Sequence, residues 1–336
     1  RYNAETSWAT LFYASAASSA STEFSGGELF FPDALSTRTH KSMLAFGGSN
    51  EDLIRLDGGR WASTAAITSV TILPGSGNFV AGSTFELCVV DESFAIDEQI
   101  LGSAGTFTVS GIAAQDGDIV QIGNLRSDRS GASIDGVAIE LNGDTTATNY
   151  NLQILEGYVS TQYAGTVNNN LTASVGLAGN LAVANAFGAV ILQYPNYSDG
   201  SNDRTFISMG GVHGSPTRTY GAECGTVSGR WNNTAAITQI KAKPGNATNW
   251  LTNSMLSTYL VPKNLIERQE LTGAANITFS NIPQSYDHLE LSVYARSNVA
   301  GSARQYAIHN NGDSTASNYE RQTLYANNST IASFQH

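Results

Sequence analysis

The segment Gly59-Arg60-Trp61-Ala62-Ser63-Thr64-Ala65-Ala66-Ile67-Thr68 is written again as Gly229-Arg230-Trp231-Asn232-Asn233-Thr234-Ala235-Ala236-Ile237-Thr238. A match of that length marks a copied structural unit, and each copy must bury its apolar face alone or against a neighbour. The repeat runs along most of the chain at the same shift of 170. Ile96-Asp97-Glu98-Gln99 returns as Ile266-Glu267-Arg268-Gln269, the stretch 104–112 as 274–282, and Arg126-Ser127 as Arg296-Ser297. Asn142-Gly143-Asp144, followed by Asn149-Tyr150, returns as Asn311-Gly312-Asp313 and Asn318-Tyr319, where the shift has slipped to 169.

Arg1-Tyr2-Asn3 answers to Asn149-Tyr150-Asn151, so the copies are out of phase with the numbering. The chain reads as the second half of unit one (1–94), a complete unit two (95–264) and the first half of unit three (265–336). Half of a sheet domain leaves an apolar face and rows of backbone donors and acceptors without partners. The halves must close on each other, be completed by neighbouring subunits, or belong to a polypeptide that continues past this window. The lengths of the halves are compatible with all three.

Period-two alternation recurs throughout. Ala66, Thr68, Val70 and Ile72 share one phase, as do Phe85, Leu87 and Val89, then Val137, Ile139 and Leu141, then Leu289, Leu291 and Val293. Further strands are expected over 106–110, 118–125, 150–158, 187–194, 205–210 and 254–261, with Pro74-Gly75 and Pro244-Gly245 among the turns between them. Stretches 14–21 and 167–170 read as long loops. With 33 glycines, only 13% charged residues and no helical stripes, eight or nine strands per unit predict an all-β fold. Its domains would be tandem antiparallel β-sandwiches of jelly-roll-like form.

A net charge of −11 argues against nucleic-acid partners, which require a basic face. The sequence has no apolar run long enough for a membrane-spanning helix. Cys88 and Cys224 are not at equivalent positions and read as buried thiols, with a disulfide left open.

Candidate sites are few. Trp61 and Trp231 recur at the same place, which suits a core plug, with the stems of Arg60 and Arg230 laid over the rings. Trp8 and Trp250 lack a tryptophan counterpart, making them the candidates for stacking on a sugar ring. Asn142, Asp144, Asn311 and Asp313 offer oxygens that calcium favours, but without the acidic spacing of an EF-hand loop they read first as tight turns. His40, His213, His288, His309 and His336 have no metal-ligand spacing, and no nucleophile elbow or phosphate loop occurs. Neither a catalytic residue nor a cofactor is expected.

Three segments carry a resemblance: Trp61 to Thr68 with its copy, Asn142 to Tyr150 with its copy, and Ile277-Thr278-Phe279-Ser280-Asn281-Ile282-Pro283. In that order they resemble a repeat of tailed-bacteriophage virion structural proteins, tail-fibre-like or otherwise uncharacterised. Unit two departs from the pattern at Ala113-Ala114, where unit three has Pro283-Gln284. The resemblance implies a non-enzymatic virion structural protein, in a fibre or as a decoration of the capsid or tail surface. Its partners would be copies of itself and other virion proteins. The alternative is a carbohydrate-binding, receptor-recognising module of an adhesin that contacts a host surface glycan. A polysaccharide-degrading enzyme would instead need two carboxylates about 5 to 9.5 Å apart in a groove.

Overall fold

The computed structural model describes residues 9–15, 25–49, 53–90, 94–114, 118–158, 161–195, 197–198, 200, 203–213, 222–260, 263–285, 289–295, 298, 303–315, 319–327 and 330–335. Apolar residues at alternate positions carry these segments into strands, and the described residues contain no α-helix. The first portion forms β1 (Ala9–Ser15), β2 (Ser25–Phe31), β3 (Lys41–Ser49), β4 (Leu53–Trp61), β5 (Val70–Pro74) and β6 (Thr84–Val90). The middle forms β7 (Ala95–Ile100), β8 (Phe107–Ser110), β9 (Ile119–Leu125), β10 (Ile134–Leu141), β11 (Tyr150–Tyr158) and β12 (Thr161–Asn168). It continues with β13 (Thr172–Ala178), β14 (Gly188–Tyr194), β15 (Arg204–His213), β16 (Ala222–Trp231), β17 (Gln239–Pro244) and β18 (Met255–Leu260). The last portion adds β19 (Lys263–Glu270), β20 (Ile277–Phe279), β21 (Leu289–Ala295), β22 (Ala303–Asn310), β23 (Tyr319–Asn327) and β24 (Thr330–Gln335).

Strands β7 to β18 build one sandwich, an eight-stranded sheet β12-β11-β16-β15-β14-β9-β18-β7 over a four-stranded sheet β13-β10-β17-β8. The order β14-β9-β18-β7 in the large sheet repeats as β13-β10-β17-β8 in the small one. A four-stranded ribbon has therefore folded over, each member turning from one layer into the other. The interior is apolar: Phe107, Val137, Ile139 and Ile240 from the small sheet meet Leu152, Val190, Leu192, Phe206 and Val227 from the large.

The flanking portions build the same object with its strands in a different chain order. The large sheet is β24-β23-β4-β3-β2-β21-β6-β19 and the small one β1-β22-β5-β20. Every pairing between the two portions is antiparallel, as in β2 with β21, β4 with β23 and β6 with β19. The second body is thus a circular permutation of the first, with its own core of Leu29, Phe31, Met43, Phe79, Phe85, Leu87, Phe279 and Leu291.

The two large sheets stack back to back, giving four layers. Phe30, Leu44 and Leu56 from one body pack against Ala189, Ile191 and Cys224 from the other. At one end of this seam Ser42 Oγ lies 2.8 Å from both Asn124 Oδ1 and Phe187 O, and Asn124 Nδ2 donates to Thr39 Oγ1 at 3.2 Å. At its centre Gly58 faces Gly211, where a Cβ on Gly58 would lie 2.8 Å from the Gly211 Cα.

Several strands were hidden in the sequence. Ala95–Ile100, Thr161–Asn168 and Thr172–Ala178 are rich in polar and small residues and owe their conformation to ladder partners rather than propensity. Val167 and Asn168 close β12, so the expected loop shrinks to the turn at Asn169 (φ 60°) and Asn170. Ala14 and Ser15 likewise close β1, and the remainder of that expected loop lies outside the described residues. Ala66 and Thr68 precede β5 and are held from outside the sheet. Cys224 forms no disulfide and is buried in the seam, its Sγ 3.4 Å from Leu56 O.

A Gly58→Val substitution would drive side-chain volume into backbone at the seam. It should destabilise the chain by about 1–3 kcal/mol, read as a lower urea midpoint. A midpoint within error of the wild type would show that the sheets do not meet there.

Candidate functional site

The duplicated segment and the Asn-Gly-Asp turn prove to be two parts of one clamp. In the middle body, Asn142 (φ 51°) and Gly143 (φ 74°) turn the chain after β10. Asn142 Oδ1 accepts from the backbone of Thr238 at 2.8 Å and of Gln239 at 3.0 Å, while its Nδ2 donates to Ala236 O at 2.8 Å. Asp144 Oδ2 accepts the indole N–H of Trp231 at 2.8 Å and Asn149 Nδ2 at 2.7 Å; its Oδ1 accepts Thr146 N at 2.9 Å. Against the burial that opposes ionisation, these donors hold the Asp144 carboxyl below its ordinary range.

The other body repeats the set. Trp61 donates to Asp313 at 2.7 Å, and Asn311 receives Thr68 and Ser69 backbone and returns a bond to Ala66 O at 2.7 Å. A buried cation reaches the same carbonyl in both: Arg204 Nη2 bonds Thr234 O at 2.6 Å, and Lys41 Nζ lies 3.5 Å from Thr64 O. Burial lowers Lys41 to about 8.

The four turn residues thus spend their oxygens on protein donors, and the described residues contain no group of three or more metal-ligating side chains. Trp250, expected as a sugar platform, is fully buried and donates its indole N–H to Ala242 O at 3.1 Å, so it presents no face to a ligand. Trp8 lies outside the described residues. Trp61 and Trp231 are buried at the ends of β4 and β16. Neighbouring strand residues point to opposite faces, which parts each ring from the arginine before it; Arg60 pairs with His40 at 2.7 Å and Arg230 with Asp203 at 3.4 Å.

The arrangement with chemical character lies elsewhere, at the mouth of the middle sandwich. There β13, the edge of the small sheet, lies over β15 and β16, and the large sheet continues past it through β11 and β12. On the inward face of β11, β12 and β16, Glu156 stands opposite Tyr163 and Tyr158 opposite Glu223. With Arg129 and Leu181 they line a cleft of about 600 Å³. Its wall is zipped together by backbone bonds, Leu181 N to Ala132 O at 3.0 Å and Gly179 N to Ser133 O at 2.9 Å. Arg126 braces that wall from behind, donating to Asn180, Ala182 and Val183 carbonyls at 2.8–2.9 Å. Arg129 is steadied by Ile134 O at 3.0 Å.

Burial, with Glu156 alongside, pushes Glu223 up to about 8; burial also raises Glu156. The signal was present in the sequence: Leu152, Ile154, Glu156 and Tyr158 share one period-two phase, and the apolar series ends in a carboxylate and a phenol.

No protein-family model matches the chain, and no curated protein sequence does. Among solved structures, the VP2 protein of infectious bursal disease virus aligns over all of this chain and 69% of its own, at 10% identity and a TM-score of 0.12. A legume lectin-like domain from Entamoeba histolytica covers 67% of the chain and 88% of its own at 10% identity and a TM-score of 0.09. These likenesses are too slight to carry an argument about fold or function.

Because folded Glu223 keeps its proton up to about pH 8 while an unfolded glutamate releases it near 4.3, the folded state holds more protons between those values. Its contribution to stability is complete below the unfolded value and is lost as pH rises through the folded one. Chemical unfolding from pH 5 to 8 should show that fall, and Glu223→Gln should flatten it; an unchanged slope in the variant would contradict the assignment.

Proposed function

We propose that this chain is a non-enzymatic structural protein of a virion, a repeat-built part of a fibre or of the capsid or tail surface. It would be exposed on the extracellular particle and contact copies of itself and other virion proteins. The observation that carries the reading is one flank of the four-layer body, where the edge strands β12 and β24 lie side by side. The opposite edges are charged, with Asp97 and Glu98 on β7 and Glu267, Arg268 and Glu270 on β19, a usual guard against stray strand pairing. β12 and β24 contain no Asp, Glu, Lys or Arg, which leaves two neighbouring strand edges open to a partner. The resemblance to tailed-bacteriophage repeats supports the same reading, and so does the clamp, whose turn residues serve structure. No helix among the described residues is long and apolar enough to cross a membrane, and the acidic chain offers no match to nucleic acid.

Two measurements bear on this. Sedimentation over rising concentration should show self-association that Ala164→Lys, on β12, weakens; a monomer throughout would contradict the edge assignment. An antibody to the protein should label purified particles by immunogold, and particles that contain the chain without accessible label would contradict a surface position.

A further inference from the structure

The cleft stands out because its carboxylates have no counterpart in the sequence of the other copy. The register of the other body puts Tyr325 where the middle body has Glu156, and Ala332 where it has Tyr163. Asn327 answers to Tyr158, and Leu53 to Glu223. The twin therefore folds on the same strands with no carboxylate at either position. Burying a carboxyl group costs stability, and Glu223, only 8% exposed, recovers just part of that cost through a backbone hydrogen bond from Gly176, whereas leucine at the twin position incurs none.

We propose that the cleft binds one ring of a neutral saccharide, stacked on Tyr163 and hydrogen-bonded by Glu156, Glu223 and Arg129. The proposal goes beyond the structural reading and does not rest on it. Tyr163 is 46% exposed yet held in place. Its ring lies over Gly165, where a Cβ would come within 2.6 Å of the phenol oxygen. An exposed aromatic face laid against a strand suits the C–H face of a sugar, and Leu181, 61% exposed, supplies an apolar rim. Carboxyl and guanidinium groups together offer both acceptors and donors, as vicinal hydroxyls require. The volume falls in the range of small-ligand sites, and a wall fixed by backbone bonds is ordered before the ligand arrives. Charge decides against other small ligands. An anion would meet Glu156, and a cation would meet Arg129 while finding Glu223 in its neutral form.

Saturation-transfer NMR on the whole chain, with methyl β-galactoside, methyl β-glucoside, methyl α-mannoside and N-acetylglucosamine as probes, tests this. Tetramethylammonium and N-acetylneuraminic acid provide the charged arms. At least one neutral sugar should receive saturation on its ring protons at millimolar concentration. Tyr163→Ala and Glu156→Gln should each weaken that binding about tenfold or more. Gly165→Val should do the same by displacing the ring, with circular dichroism melts confirming that the variants fold. No transfer to any neutral sugar, transfer to a charged probe alone, or affinity unchanged in folded Tyr163→Ala and Glu156→Gln would each overturn the proposal. Particle labelling reads the virion assignment separately, so either can fail alone.

Discussion

The structure depends on one small set of hydrogen bonds used twice: an indole N–H held by an aspartate, and an asparagine amide that takes over the backbone ahead of a strand. Trp231 with Asp144 closes the middle body, and Trp61 with Asp313 closes the other. Each bond joins the end of a large-sheet strand to the turn that follows β10 or its counterpart β22. The clamp therefore sets how the two layers of a sandwich sit on one another, and a bond to a charged acceptor at a buried ring contributes more than an ordinary one.

Using one clamp twice explains how a chain whose copies are out of phase makes whole domains. In the middle body the clamp spans 87 residues, and in the other it spans 252. The flanking portions meet because β21 and β22 supply the ladder neighbours that β1, β2, β5 and β6 lack. Both bodies then turn their large sheets toward each other, and the facing glycines let the backbones come within contact distance. The buried cations Lys41 and Arg204 reach the same carbonyl of the duplicated segment with different chemistry, and Arg204 takes the next carbonyl as well.

The strand content was legible because alternation at Val137 to Leu141 or Leu289 to Val293 survives any register, and strongly apolar strands announce their own face. Polar strands such as Thr161–Asn168 were not, since their conformation comes from neighbours distant in the chain. The duplicated Trp-to-Thr segment pointed to shared structure. What it bonds to is invisible without three dimensions, for Asn311 and Thr68 are 243 residues apart. Trp250 shows the opposite error: an unmatched tryptophan suggested a ligand platform, whereas the fold uses it as a core plug. The cleft was missed because Glu156 and Glu223 lie far apart in sequence and only strand pairing brings their faces together.

The most direct test of this account is a double-mutant cycle between Trp61 and Asp313, using Trp61→Phe and Asp313→Ala with unfolding in urea. If the clamp joins the flanking portions, the two substitutions should be coupled, with an interaction energy of about 1.5–3 kcal/mol. Strictly additive effects would mean that the indole and the carboxylate do not meet, and the closure of the second body would have to come from other contacts.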